Sequence, residues 1–258
     1  MMDQLRGVLF PSHLPQFQRF AAPHGVEYLA QWFWIPEWDL EPGVVSRQLI
    51  VSHPALNLVV EPHGVSLVGA TSCVSERELR HTGWAVGALL KPAAVPALTS
   101  DARSLVDTEL TFDAPDLHAT VVAAMAGGGN RHENAVEAFA AWLRARAGVV
   151  PPAARHANGL VEVLIEEGGA NTPAEAAARL SVSTRTLERM THRCIGLPPA
   201  AIIRRRRLQE AAQAVREKPE LSLSVIAADL GYTDHAHLTA DFRSVLGFTP
   251  SGYRTELS

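Results

Sequence analysis

Between residues 183 and 193 the chain places Ser183, Arg185, Glu188, Arg189 and Arg193. A Ser suits the N-cap of a helix. Behind it, Leu187 and Met190 face one side while the Arg and Glu side chains fall at helical spacing on the other. An Arg bonds guanine through O6 and N7, and a Glu accepts from cytosine N4. Arg193, farther along, suits a phosphate. The same pattern also describes a solvated Arg/Glu face with ion pairs, so the surrounding elements must decide. A second polar start, Thr233-Asp234-His235-Ala236-His237-Leu238, opens another helix. His235 and His237 form a weak metal motif without further ligands. Asp234 and Asp241 would repel phosphate unless they cap the helix or pair with Arg243. Arg204-Arg205-Arg206-Arg207 suggests a phosphate clamp. Four consecutive residues at ~100° each cannot share one helical face. Meeting phosphate and bridging neighbouring helices are equally open for them.

The N-terminal half offers other chemistry. Trp32, Trp34 and Trp38 suit a pocket for an aromatic or apolar ligand, or simply a core. On an alternating strand Trp32 and Trp34 share a face, so that pair is expected to be buried. His53, His63 and His81 lack a compact His-x-His with an acidic partner, and no metal is expected there. Cys73 and Cys194 form no CxxC pair, which argues against a disulfide framework or a Cys-rich zinc site. Cys73 reads as a small buried residue. No catalytic triad, phosphate loop or metal motif stands out, so neither catalytic residues nor a cofactor is expected.

Which elements hold these residues? The 258 residues suggest one large domain or two ordinary ones, and 47% hydrophobic content supplies a core. Residues 24–112 read as β-rich, with a hairpin of Asn57–Val60 and Val65–Val68 around Glu61-Pro62-His63-Gly64, and a strand from Gly83 to Leu90. Leu117 to Met125 and Glu133 to Ala147 read as a helical hairpin spanning 117–147. Gly148 to Pro152 makes a linker. Leu160 to Glu167 reads as a short apolar helix. Thr172-Pro173-Ala174-Glu175 has a capping-box arrangement. The division expected is 1–150 and 156–258, the second part all-helical.

That second part repeats itself. Ala177-Ala178-Arg179-Leu180 matches Ala227-Ala228-Asp229-Leu230 at an offset of fifty. Leu187, Gly196 and Pro199 match Leu238, Gly247 and Pro250 at fifty-one, one extra residue lying in the second turn. Each unit is a short Ala-rich helix, a turn, and a second helix ending in Gly-x-x-Pro. Small residues let the two helices cross closely, and a buried Leu anchors the second helix while its other face stays free. Between the units, Ala200 to Lys218 reads as one helix with Leu208, Ala211, Ala212 and Val215 on one side. Such a helix spans roughly 27 Å, approaching the ~34 Å between successive major grooves on one face of DNA.

The segment Ile226-Ala227…Gly231-Tyr232…His237-Leu238…Phe242-Arg243…Gly247-Phe248-Thr249-Pro250…Tyr253-Arg254 resembles the signature of the AraC/XylS family of bacterial transcription regulators. The resemblance covers about residues 157–256. It implies an α+β chain: a β-rich, barrel-like regulatory domain with a helical hairpin, then two helix-turn-helix subdomains joined by a long helix. It implies that Arg185, Glu188 and Arg189 reach base edges, with His235, Ala236 and Ala240 at the matching groove-facing places. Many relatives carry a long polar residue where Ala240 stands, so the second unit is expected to read fewer bases. Thr191 stands where relatives have a core Phe, as Phe242 does in the second unit, so a thinner core is expected there. The N-terminal segments Gln31–Trp34 and Asn57–Val60 resemble the fused regulatory domains more loosely. Ser183, Arg193 and Arg243 complete the expected DNA-contacting set. The partners implied are double-stranded promoter DNA, RNA polymerase for an activator, a small-molecule effector and a second copy of the chain.

The formal charge of −4 argues mildly against a nucleic-acid binder. By region the objection fades: residues 181–218 hold nine basic and three acidic residues. The positive charge is therefore expected where DNA sits. No apolar run suggests a membrane span, and residues 1–6 show no secretion signal. A cytoplasmic, nucleoid-associated protein is expected. The competing readings are a barrel-type enzyme or ligand-binding protein fused to a DNA-binding module, and a nucleoid-type binder with little sequence preference.

Overall fold

The computed structural model describes residues 16–50 and 52–256. Residues 1–6, read above for a secretion signal, lie outside them. The strands are β1 (Gln16–Ala21), β2 (Ala30–Asp39), β3 (Val45–Ile50), β4 (Asn57–Glu61), β5 (Gly64–Val68), β6 (Ser75–Arg80), β7 (Thr82–Trp84), β8 (Val86–Leu90) and β9 (Glu109–Thr111). The larger sheet runs β1-β2-β8-β4-β5-β9, with β7 also on β2, while β3 and β6 pair separately. The pairs are antiparallel. The barrel-like expectation is met by two sheets that do not close.

The hairpin around residues 61–64 forms as expected, Val60 opposite Val65 and Glu61 opposite Gly64. The expected strand 83–90 is split into β7 and β8. Strand β6 carries four charged residues in six and does not read as a strand, while its partner β3 carries one. Their charges meet each other: Arg47 lies 3.6 Å from Glu76 and 3.3 Å from Glu78.

The helices are α1 (Pro115–Met125), α2 (Arg131–Ala147), α3 (Pro152–His156), α4 (Pro173–Arg179), α5 (Thr184–Cys194), α6 (Pro199–Glu217), α7 (Leu223–Asp229), α8 (His235–Leu246) and α9 (Pro250–Glu256). Where a short helix over 160–167 is expected, the chain makes a single π turn, Val161–Ile165.

Three cores follow. In the first, alternation along β2 sends Phe33 and Ile35 into the helical hairpin, where Phe33 meets Phe139 edge-on at 5.4 Å between ring centroids. The second core gathers Leu160, Leu164, Leu187, Ile195, Ile202 and Ile203. The third gathers Leu208, Val215, Ile226, Leu238, Phe242 and Tyr253. Helix α6 gives its first turns to the second core and the rest to the third, so one element joins both helix-turn-helix units. Among the described residues no helix is long and apolar enough to cross a membrane.

Candidate nucleic-acid interface

The first unit is α4, a turn and α5. Thr172 starts α4 as expected, its hydroxyl accepting from the Glu175 N–H at 3.1 Å. The Glu175 carboxylate accepts from the N–H of Asn171, one residue outside the expected box. That bond, helped by Arg179, holds the Glu175 carboxyl below its usual value. Buried Ala176 and Ala177 lie in the second core, where small side chains allow a close crossing. The turn passes through Ser181 at φ +54°. Ser183 caps α5, its hydroxyl accepting from the Thr186 N–H at 3.1 Å. Leu187, Thr191 and Cys194 then face inward. Arg185, Glu188, Arg189 and Arg193 stand exposed along α5. None of these four side chains has an ion pair or hydrogen-bond partner among the described residues.

Thr191 stands at a core position, as Phe242 does in the second unit. It is fully buried, and its hydroxyl donates to the Glu188 carbonyl at 3.0 Å. The π-turn residues Val161, Leu164 and Ile165, with Ala70 from the N-terminal half, enlarge the core around this unit.

The second unit repeats the plan with other residues. Its turn passes through Gly231 at φ +71°, a conformation that costs a glycine little. Asp234 caps α8, accepting from the His237 N–H at 2.8 Å. Leu238, Phe242, Val245 and Leu246 are buried, and the Phe242 ring lies 5.8 Å from that of Phe248. His235, Ala236, Ala240 and Arg243 are exposed. Asp241 pairs with Arg204 at 2.8 Å rather than with Arg243. The His237 ring meets Tyr232 edge-on at 5.2 Å. Among the described residues no group of three His, Cys, Asp or Glu side chains is placed to hold a metal ion.

The arginine run departs most from expectation. Arg204 binds Asp241 of α8. Arg205 is buried and reaches the N-terminal half, donating to the Ser52 carbonyl at 2.7 Å, the Thr71 hydroxyl at 2.7 Å and the Cys73 carbonyl at 3.1 Å. Burial lowers its pKa to about 10, leaving it a cation at neutral pH. Arg206 is buried as well, holding Glu210 at 2.9 Å and the Ala170 carbonyl at 2.9 Å. Arg207 lies over the Tyr232 ring, 3.7 Å from its centroid. All four act as internal ties, and two are out of reach of any phosphate. Much of the positive charge counted over residues 181–218 therefore belongs to the scaffold. Among the described residues, the cations of the first unit without a protein partner are those of α5.

The N-terminal half holds a cavity of about 540 Å³ between its two sheets. Trp32, Trp34 and Trp38 line it, half-buried, on the face of β2 opposite the core. This overturns the expectation that Trp32 and Trp34 are buried in the core, since Phe33 and Ile35 take that side. Glycines make room for two of the rings. A Cβ on Gly87 would sit 2.1 Å from the Trp34 ring, and one on Gly83 would sit 2.4 Å from that of Trp38. The Trp34 N–H donates to Asn57 at 3.1 Å, and that of Trp38 to the Arg80 carbonyl at 3.1 Å. Trp32 lies 4.7 Å from the His53 ring, with the Arg19 guanidinium 4.9 Å from its own. Cys73 is exposed at this cavity instead of buried. Gly83 and Gly87 escape sequence reading because nothing local announces an aromatic ring on the neighbouring strand.

Residues 176–256 match a family described as a helix-turn-helix domain, and residues 18–111 match a domain of unknown function, DUF6597. No curated protein matches the chain. Among solved structures it is similar to ToxT from Vibrio cholerae, at 11% identity, 88% of this chain, 99% of that one and TM-score 0.41. It is similar to the C-terminal domain of the two-component response regulator yesN from Fusobacterium nucleatum, at 24% identity, 32% of this chain, 80% of that one and TM-score 0.31. A DNA-binding transcriptional dual regulator from Escherichia coli K-12 matches at 20% identity, 43% of this chain, 96% of that one and TM-score 0.33. The helix-turn-helix match over residues 176–256 lies on two capped units joined by one shared helix, the arrangement that the resemblance to the AraC/XylS family implies.

Proposed function

We propose that this regulator reads two adjacent major grooves of promoter DNA, one with α5 and one with α8, and that residues 156–258 form the reading domain and residues 1–150 the regulatory one. Arg185, Glu188 and Arg189 contact base edges, and Arg193 contacts phosphate. Ser183 joins them at the helix start, where its hydroxyl already caps α5. In the second unit His235, Ala236 and Ala240 face the groove and Arg243 the backbone. Two of those positions offer only a methyl group, which suits a thymine methyl and forms no hydrogen bond. One observation carries the reading: the α5 cations have no protein partner among the described residues, whereas each arginine of the 204–207 run is engaged.

The cavity lined by Trp32 and Trp34 takes an aromatic or apolar effector. RNA polymerase is the partner of an activator of this kind, and a second copy of the chain is the further partner. The protein works in the cytoplasm, on the nucleoid.

Selection of duplexes from a random pool by the full chain, at one fixed salt concentration, tests the reading. The expected product is a two-part site with centres about one helical turn apart. Equal binding to selected and random competitor DNA would overturn it in favour of a nucleoid-type binder.

A further inference from the structure

The cavity and the two reading units meet at one buried side chain. Arg205 projects from α6, the helix shared by the second and third cores, into the N-terminal half. Its three acceptors belong to Ser52, Thr71 and Cys73, and all three residues line the cavity. Its Nη1 is buried with no hydrogen-bond partner among the described residues. Next to this site, Asp107 accepts from both the N–H and the hydroxyl of Ser72 at 2.6 Å, holding the 71–73 loop against the wall. Among the described residues no carboxylate lies within ion-pair reach of Arg205, so it is held by the geometry of two carbonyls and a hydroxyl.

Each unit also touches the N-terminal half by its own route. Gly196, at the end of α5, packs so tightly on the 102–106 segment that a Cβ there would lie 2.5 Å from the Ala102 carbonyl. In the second unit the Val74 N–H donates to the Val245 carbonyl at 3.1 Å, and Leu49 and Val74 pack on the third core. The second unit is therefore held against cavity-lining Val74, and the first against the 102–106 segment, which leads directly into cavity-lining Asp107 and Thr108.

We propose that Arg205 is a positioning residue that makes the cavity walls set the distance and angle between the two reading helices, so that the spacing of DNA half-sites is chosen by the N-terminal half as well as by α6. The proposal rests on the two-groove reading above and assigns a regulation to the same pair of sites. A filled cavity that shifts the 52 or 71–73 segments moves Arg205, and with it α6 relative to the separate contacts that Gly196 and Val245 make with the N-terminal half. Packed elements of this kind can couple distant sites without Arg205 touching DNA.

The test uses the full chain and the duplex it selects from a random pool, remade with base pairs added or removed between the half-sites. Thr71→Val cuts the strap from the cavity side and Arg205→Met cuts it from the helix side. Neither residue lies on a reading helix. Wild-type binding is expected to fall steeply when the spacing changes. Each variant is expected to bind the original spacing about fivefold or more weakly and to show a flattened spacing profile, with the double variant no flatter than either single one. Thermal melting is recorded alongside. A folded Thr71→Val protein with the wild-type spacing profile overturns the proposal even if Arg205→Met fails to fold. A merely structural role moves the melting temperature and leaves the profile alone, which also overturns it. Should the wild type enrich no sequence, the two-groove reading fails first and takes this coupling with it.

Discussion

At an offset of fifty-one residues the two reading helices set different chemistry on one plan. Arg185 answers to Ala236, Arg189 to Ala240, and buried Thr191 to buried Phe242. The first unit presents long cations to the outside and fills its inside with pieces borrowed from elsewhere: the π turn, Ala70 and the close approach of Gly196 to Ala102. The second presents methyl groups and a histidine, and builds an aromatic inside of its own from Phe242, Phe248 and Tyr253. Its closing glycine, Gly247, has open space where a Cβ would stand. The difference teaches that a duplicated unit need not divide its labour evenly. On the function proposed above, one copy carries base recognition and the other reads little, while both touch the N-terminal half, the first through Ala70 and Ala102 and the second through Leu49 and Val74.

The largest effect is expected in the third core. Phe242→Ala removes a fully buried ring that touches Phe248 and Tyr253 and should cost about 3–5 kcal/mol. Denaturant melts of the full chain measure it, and a cost under half that range would break the claim that this unit stands on its own aromatic core. Next comes recognition. Arg189→Ala should weaken specific binding by ~1–3 kcal/mol and relax preference at one base pair. Ala240→Gly, at the equivalent place, should cost less than that and leave base preference unchanged, as gel-shift titrations on single-base variants of the site can show.

Thr191→Phe inverts the comparison. The site is closed, so the larger ring overpacks it and should lower stability by about 1–3 kcal/mol. A higher melting temperature would mean that the first core does have room. The smallest effect lies in the turns. Ser181 adopts the left-handed conformation that Gly231 takes in the second unit. Ser181→Gly should therefore stabilise the first unit by less than about 1 kcal/mol, read as a small rise in melting temperature. A fall would show that the Ser side chain earns its place.

Much of the helical part is legible in the sequence, because its signals are local. Thr172, Ser183 and Asp234 cap where their types suggest, and the repeated Ala, Leu, Gly and Pro positions fix two hairpins on one helix. The four consecutive arginines show where legibility stops. Their types announce charge, but their partners Asp241, Ser52, Ala170 and Tyr232 come from four separate parts of the chain, and only folding brings them together. The N-terminal half is harder for the same reason. The charged strand β6 finds its partner β3 only across the fold, and the cavity depends on which face of β2 meets the helical hairpin. Trp32 and Trp34 look like core by type, yet Phe33 and Ile35 occupy it.

A base-by-base interference profile of the selected site, bound by the full chain, tests the division of labour most directly. The account predicts two half-sites of unequal strength. The half facing α5 should hold two or more positions where substitution costs about 1–3 kcal/mol, and Arg189→Ala should abolish one of them. The half facing α8 should be nearly flat apart from phosphate contacts. Equal profiles in the two halves, or a stronger one under α8, would contradict it.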